Sequence, residues 1–588
     1  SPSITSKAFM VLVDVKDIDA TGGKAIPCYI NCKNTGNNTN WNFGTPVNIT
    51  GTVYYEDGIT PAPAGIPVAW RHNAGSFIVE VDETDANGSY ALSGATMSGG
   101  TLVSINILSS NANRATTTLL ASGNDVSGVD LYKNHIIVRS ESGSIPMKTR
   151  HMRMMYKSDD AGLNDVFQVT NNHIKVPPTM KMLIWGGDTF EAEGATTAGH
   201  LDIRGEYKTK GYDLSSSGMT LKQGSIFYGS GSAMKIAGDF NLENGGEFHH
   251  GTGSLKISGD FRIANGSTFR KSANGAPLTL NGDLTLENEA GVNLGVVQIG
   301  ESPDTITLSG NLLTDGLTIN AGDVLVTDGF NVSSSGGITI YGTLDASNGV
   351  GGASTITLSG AWTNSDGAFT PGSSTVILDG TQEQRVFGSN TFYNLEADSN
   401  IGQSLLFEAG KTTSITNETT LRGTSDTHLP LTSSVVGTRW NINPNIDSDR
   451  WAPKNDIEYV SVRDGENLNG AVLFPENSTD AGNNINWFSQ HTRNTISNSR
   501  GLGNSQAGRS RDASLEVKVA LAEHELGRVE FIVDKSKTLQ GVTEDNEALY
   551  TIGDDTKDVP SDRGTRFTKR RFVIGDSFTT RSSREIRI

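Results

Sequence analysis

One short pattern recurs through the middle of the chain and narrows the folds open to it. Lys235-Ile236-Ala237-Gly238-Asp239-Phe240-Asn241-Leu242 returns as Lys256-Ile257-Ser258-Gly259-Asp260-Phe261-Arg262-Ile263, and again as Thr279-Leu280-Asn281-Gly282-Asp283-Leu284-Thr285-Leu286. Looser copies start at Thr307, Thr339 and Thr357, with glycines at Gly310, Gly342 and Gly360; the six glycines are separated by 21, 23, 28, 32 and 18 residues. A unit of this length, with alternating apolar residues and a turn, matches one coil of a parallel β-helix, whose inward side chains stack on those of the next coil. Each glycine is expected at a sharp bend, one per coil, because Gly accepts positive φ at little cost.

The rest of the chain agrees with an all-β fold. Period-two alternation is frequent and helix-period windows are scarce. Gly supplies 68 of 588 residues and the hydrophobic fraction is 35%, which fits many short strands and tight turns. The net charge of -18 argues against a general nucleic-acid or anionic-membrane binder, and no apolar run is long enough to span a bilayer.

A second repeat links distant segments. Leu12-Val13-Asp14-Val15-Lys16-Asp17 matches Tyr459-Val460-Ser461-Val462-Arg463-Asp464, and Gly36-Asn37-Asn38-Thr39-Asn40-Trp41 matches Gly482-Asn483-Asn484-Ile485-Asn486-Trp487. Residues 1–44 therefore read as the last coils of a solenoid whose start lies elsewhere, or as an assembly segment. Trp41, Phe43, Trp487 and Phe488 are expected to cover the open ends, because a terminal coil must hide its apolar interior. Cys28 and Cys32 lack further metal ligands nearby and read as a local disulfide or two ordinary thiols.

Residues 45–139 carry another pattern: Gly51-Thr52-Val53 with Asp57-Gly58, then Thr84-Asp85-Ala86-Asn87-Gly88-Ser89-Tyr90. This stretch resembles a carboxypeptidase regulatory-like (transthyretin-like) β-sandwich domain. The resemblance implies a non-catalytic spacer or adhesive module, with a tight hairpin at Asn87-Gly88 and Tyr90 packed inside. The solenoid is assigned to 140–488. Its Gly360–Gly380 segment, with Thr391-Phe392-Tyr393-Asn394-Leu395, is similar to repeats of secreted bacterial surface proteins with right-handed parallel β-helices, a fold shared with adhesins and pectin-lyase-like solenoids. That resemblance implies an extracellular or cell-surface location.

Residues 489–511 read as a flexible linker and 512–588 as a small C-terminal β module or assembly segment. The last hundred residues hold 17 Lys and Arg against 15 Asp and Glu, so the acidity belongs to the rest of the chain. Leu515, Val517 and Val519, with Val529, Phe531 and Val533, alternate as strands do and are candidates for a joint between subunits.

Signals for chemistry are weak. Gly410-Lys411-Thr412 ends like a phosphate loop, but Leu405 stands where that motif needs Gly. His249 and His250 are adjacent on a strand and would point to opposite faces. Arg150, His151 and Arg153, with Met152, Met154 and Met155, read as a junction patch. Glu191 with Glu193, or Asp366 with Asp379, have the composition of a glycosidase pair or calcium site and the abundance of ordinary surface acids. No acidic and basic cluster is visible at coil spacing, and no cofactor is implied. The expectation is a non-enzymatic extracellular β protein, a subunit or segment of a fibre, sheath or adhesin. Its partners would be further copies of itself, cell-surface components or glycans. The alternatives are a β-helix polysaccharide lyase or tailspike-like depolymerase, and a glycan-binding adhesin.

Overall fold

The computed structural model describes residues 10–488 except 12–13, 22–25, 31–32, 43–45, 73–77, 97–98, 109–113, 144, 157–165, 273, 302, 350, 399–401, 446–454 and 474, together with 516–519 and 584–587. The chain forms two compact units, Ser1–Val376 and Ile377–Ile588.

In the first unit, alternation becomes coils of three short parallel strands. Leu255–Ile257 and Phe261–Ile263 bury their outer residues and turn the middle one outward, as a two-residue period on a half-buried sheet requires. One face stacks Lys181–Ile184, His200–Ile203, Met219–Leu221, Phe240–Leu242 and Phe261–Ile263 in parallel. A second stacks Thr189–Glu191, Glu206–Lys208, Ile226–Tyr228, Glu247–His250 and Thr268–Lys271. On the third face Ile236, Ile257, Leu280, Ile299, Ile319, Ile340 and Asn364 are successive register partners, so a coil holds 19 to 24 residues.

This register corrects the counting of coils by glycines. The copies at Gly238, Gly259, Gly282 and Gly342 turn the same corner, between the third face and the first. Gly310 follows Thr305–Leu308 of the first face, and Gly360 follows Thr355–Leu358, which stacks on Val332–Ser334 in a further parallel sheet. The local signature is thus reused at different corners, and the spacings 28, 32 and 18 do not measure coils. The expected cause is also wrong for most of these glycines. Of the six only Gly282 has positive φ (79°). At Gly238 and Gly342 a Cβ would overlap the carbonyl oxygens of Ser217 and Asn320, and at Gly259 the backbone carbonyl carbon of Gly238. Successive corners lie about one strand spacing, ~4.8 Å, apart, which leaves no room for a side chain pointing at the coil below. The Gly282 corner is longer: Phe261 pairs with Leu286 rather than Leu284, a slip of two that keeps the same parity inside and places Asn288, buried, against Ile263.

The interior of the second face is an aromatic column. Phe190, Tyr207, Phe227, Phe248 and Phe269 are register partners with ring centroids 5.2, 5.5, 5.0 and 5.2 Å apart. Phe240 and Phe261 meet its lower part edge-on, Phe240 at 5.0 Å from Phe248. Offset stacks and T-shaped contacts of this kind add to the burial term.

The solenoid begins on an antiparallel sheet. Strands Ile78–Glu83, Pro67–His72, Leu102–Ile107 and Ala115–Leu120 pair antiparallel, and Ala115–Leu120 then pairs parallel with His135–Ser140, which pairs parallel with Lys181–Ile184. Pro46–Tyr54, Ser89–Thr96 and Leu131–Tyr132 form a second sheet. Ile49, Val53, Tyr90 and Leu92 from it, and Val68, Trp70, Val103 and Ile105 from the first, lie in one buried cluster. Gly88 has positive φ (74°) and Tyr90 is buried, with its hydroxyl donating to the Val129 carbonyl. The turn is not a hairpin, however: the strands on either side of Asn87-Gly88 pair into different sheets. Helix Thr149–Met155, which periodicity did not reveal, buries Met152 and Met155.

The second unit repeats the principle. Glu383–Phe387, Ser404–Phe407, Leu429–Ser433, Val460–Val462 and Thr479–Asp480 stack in parallel. Asn390–Asp398, Thr412–Arg422, Trp440–Pro444 and Gly465–Asn467 form a second parallel stack. Phe407 lies flat on Trp440 at 4.0 Å, and Trp440 meets Trp487 at 5.6 Å. Glu516–Val519 pairs antiparallel with Arg584–Arg587.

Candidate functional site

Two features stand out. The first is the sequence repeat at 12–41 and 459–487, which proves to be one structural device present twice. The Asp17 N–H donates to Gly36 O at 3.1 Å, and Asp464 N–H to Gly482 O at 3.1 Å. The Asn38 and Asn484 side chains each donate to the carbonyl of the coil before, at Val15 and Val462, both at 2.7 Å. They also accept from the backbone of Ile18 and Gly465. Asn37 donates to Asp17 at 3.0 Å and Asn483 to Asp464 at 2.6 Å. Asn40 donates to Ala20 O and Asn486 to Asn467 O. Backbone angles agree: φ is 56° and 55° at the aspartates, 56° and 59° at Asn37 and Asn483, 61° and 58° at Asn40 and Asn486. Asn enters the left-handed region more readily than other side-chain residues and hydrogen-bonds locally there, so the Gly-Asn-Asn-x-Asn-Trp order fits both demands. Burial pulls the Asp464 pKa up, but hydrogen bonds from Asn483 and the Gly437 N–H outweigh it and hold the carboxyl below its usual range.

Of the expected end covers, Trp487 is fully buried, Phe488 and Trp41 are half-buried, and Phe43 lies outside the described residues. Cys28 lies on strand Ile26–Ile30, while its side chain and all of Cys32 lie outside the described residues. Val517 and Val519 sit on the strand paired with Arg584–Arg587; their side chains, and Leu515, Val529, Phe531 and Val533 entirely, lie outside the described residues.

The second feature is a polar column on the outer side of the second solenoid face. Lys148, Glu191, Lys208, Tyr228, His249 and Arg270 are register partners on successive strands. This is the cluster at coil spacing that the sequence reading did not find. Lys208, Tyr228, His249 and Arg270 follow one another at 20, 21 and 21 residues, and from Glu191 to Arg270 each directly follows an inward aromatic residue; that pairing is the signal that could have revealed the column. Lys148 pairs with Glu191 at 2.9 Å, Lys208 with Glu206 at 2.8 Å and His249 with Glu247 at 2.9 Å. The Tyr228 and His249 rings stack at 5.2 Å. Arg270 is exposed and makes no ion pair or side-chain hydrogen bond among the described residues. An open depression lies here, bordered by Tyr228, His249 and Arg270 together with Ser230, Lys271 and Ser272. Burial lowers the Lys271 pKa, and Lys271 donates to the Ala276 carbonyl. His250 points inward, its Nε2–H donating to the Ser232 carbonyl at 3.1 Å, and burial lowers its pKa to about 4.

The remaining sequence candidates resolve individually. Lys148 holds Glu191 below its usual pKa through a hydrogen bond, and Glu193 pairs with Arg150 at 2.8 Å, so both acids are committed to ion pairs. Arg153 donates to Asn172 at 2.8 Å. Asp366 sits in a turn at φ 60° and Asp379 belongs to the other unit. Gly410 and Lys411 form a turn between strands Ser404–Phe407 and Thr412–Arg422. Among the described residues no group of three or more His, Cys, Asp or Glu is placed to hold a metal ion, and no helix is long and apolar enough to cross a membrane. No protein-family model matches the chain, and comparison with curated proteins and with solved structures gives no match. The fold defines it as a protein built on parallel β-solenoid coils.

Proposed function

We propose that this protein is an extracellular structural component of a bacterial cell surface, a subunit or segment of a fibre, sheath or adhesin that associates with further copies of itself. One observation carries the reading. The same asparagine-rich coil ending occurs before and after a run made of a two-sheet segment and solenoid coils, which is the order of a modular array. Coils joined by continuous backbone ladders suit a load-bearing or protease-resistant role. The two-sheet segment is read as the carboxypeptidase regulatory-like sandwich, a spacer between solenoids; the buried Tyr90 and the Gly88 turn support this. The ion-paired state of Glu191 and Glu193 favours a non-enzymatic role over a glycosidase.

The test is assembly. Full-length protein and a variant lacking residues 489–588 are compared by electron microscopy and analytical ultracentrifugation. The full chain is expected to form polymers and the truncated chain to lose them. Unchanged polymers in the truncated chain, or a strictly monomeric full-length protein under all conditions, would refute the proposal. Chain shortening of acidic or neutral glycans by the purified protein would replace it with an enzymatic one.

A further inference from the structure

We infer that the depression at Tyr228, His249 and Arg270 binds an anionic glycan, with Arg270 taking its carboxylate or sulfate group and the flanking hydroxyls taking its ring hydroxyls. The inference does not depend on self-assembly.

The charge balance is the starting point. In a chain of net charge -18, this depression is bordered by the exposed guanidinium of Arg270, while Lys271, the register partner of inward His250, donates to the Ala276 carbonyl. The neighbouring acids are engaged: Glu247 holds His249 and Glu206 holds Lys208. Arg270 alone in the column presents an exposed guanidinium with no partner among the described residues. An unpaired guanidinium offers a planar fork that fits a carboxylate or sulfate bidentately. Ser230 and Ser272 add hydroxyls on either side, as polyhydroxylated ligands require. The Tyr228 and His249 rings stack along the coil direction, so they present edges rather than faces outward. Their polar edge atoms therefore serve as hydrogen-bond partners, not as a platform for a flat base. A glycan is favoured over nucleic acid on these grounds.

The experiment uses the full-length protein and four immobilised polymers: polygalacturonate, a heavily sulfated glycan, neutral dextran and polyglutamate. Wild type is expected to bind polygalacturonate or the sulfated glycan, more weakly as salt rises; which of the two it binds identifies the anionic group. Dextran and polyglutamate are expected not to bind. R270A should weaken binding about tenfold or more, and R270K by less, since charge remains but the fork is lost. Arg262, on another face and paired with Glu287 and Glu289, is the control; R262A should bind as wild type does. Arg270 is exposed, so R270A should keep the wild-type melting temperature. No binding to either anionic glycan, equal binding to polyglutamate, or an equal loss in R262A and R270A would each overturn the inference.

Discussion

Replacing Phe248 with Ala tests the column that fills the second face. The ring is fully buried, lies nearly parallel to Phe227 at 5.0 Å and Phe269 at 5.2 Å, and receives Phe240 edge-on at 5.0 Å. Phe→Ala in a packed core costs ~3–5 kcal/mol, and aromatic pairs are worth ~0.5–1.5 kcal/mol beyond area. Four ring partners are lost at once, His250 stacked at 6.0 Å among them, and the coils above and below are held by their own ladders and cannot collapse into the hole. The upper part of that range, about 4–5 kcal/mol, is therefore expected. In a solenoid each coil contacts only its neighbours, so the loss should be local. Native-state hydrogen exchange is the assay. Amides of Ile226–Tyr228, Glu247–His250 and Thr268–Lys271 should lose protection, while Val324–Val326 and Thr343–Asp345 should keep theirs. A loss below about 1.5 kcal/mol, or one spread evenly over all coils, would refute the column as a local clamp.

Three further outcomes follow from the same structure. G342A should destabilise by ~1–3 kcal/mol, since its Cβ would strike the carbonyls of Asn320 and Asp323, whereas G224A, with positive φ and open space, should cost ~1–2 kcal/mol from backbone strain alone; thermal melting of both variants compares them. Burial raises the Asp188 pKa to about 6, so the folded state holds its proton more tightly and stability falls as pH rises from about 4 to 6; burial lowers His250 to about 4, so that residue makes stability fall as pH drops from about 6.5 to 4. D188N and H250Q should each remove one of these opposed slopes in urea titrations across that window, and an unchanged profile would contradict the assignment. N484A breaks hydrogen bonds to Val462 O, Asp480 and the Gly465 N–H; a loss of ~1–3 kcal/mol, seen as faster exchange confined to the last coils, is expected, and N38A should act alike on the first copy.

Which readings survived depends on how local their cause was. Alternation at Leu255–Ile257 and Phe261–Ile263 foretold strands because side-chain direction follows from the backbone period alone. The match between Gly36–Trp41 and Gly482–Trp487 held down to individual hydrogen bonds, because Asn in a left-handed turn interacts within one coil of itself. The corner glycines were recognised, yet for the wrong reason at Gly238, Gly259 and Gly342: what excludes a side chain there is the backbone of the coil below. The Asn87-Gly88 turn was legible, but which sheets its strands join was not. The polar column ending at Arg270 went unseen although its last members are 20, 21 and 21 residues apart, because acid, base, Tyr and His alternate in it and no single residue type repeats.

By itself, then, the order of residues determined the strands, the turns, the inward face and the repeated coil ending, since each depends on neighbours within a few positions or on copies of the same short pattern. Only the tertiary structure decided the register: which coil lies on which, that Phe261 meets Leu286, and that five residues spread from Glu191 to Arg270 stand in one line. Corner lengths set that register, and their cost depends on backbone atoms a full coil away, which no local pattern records.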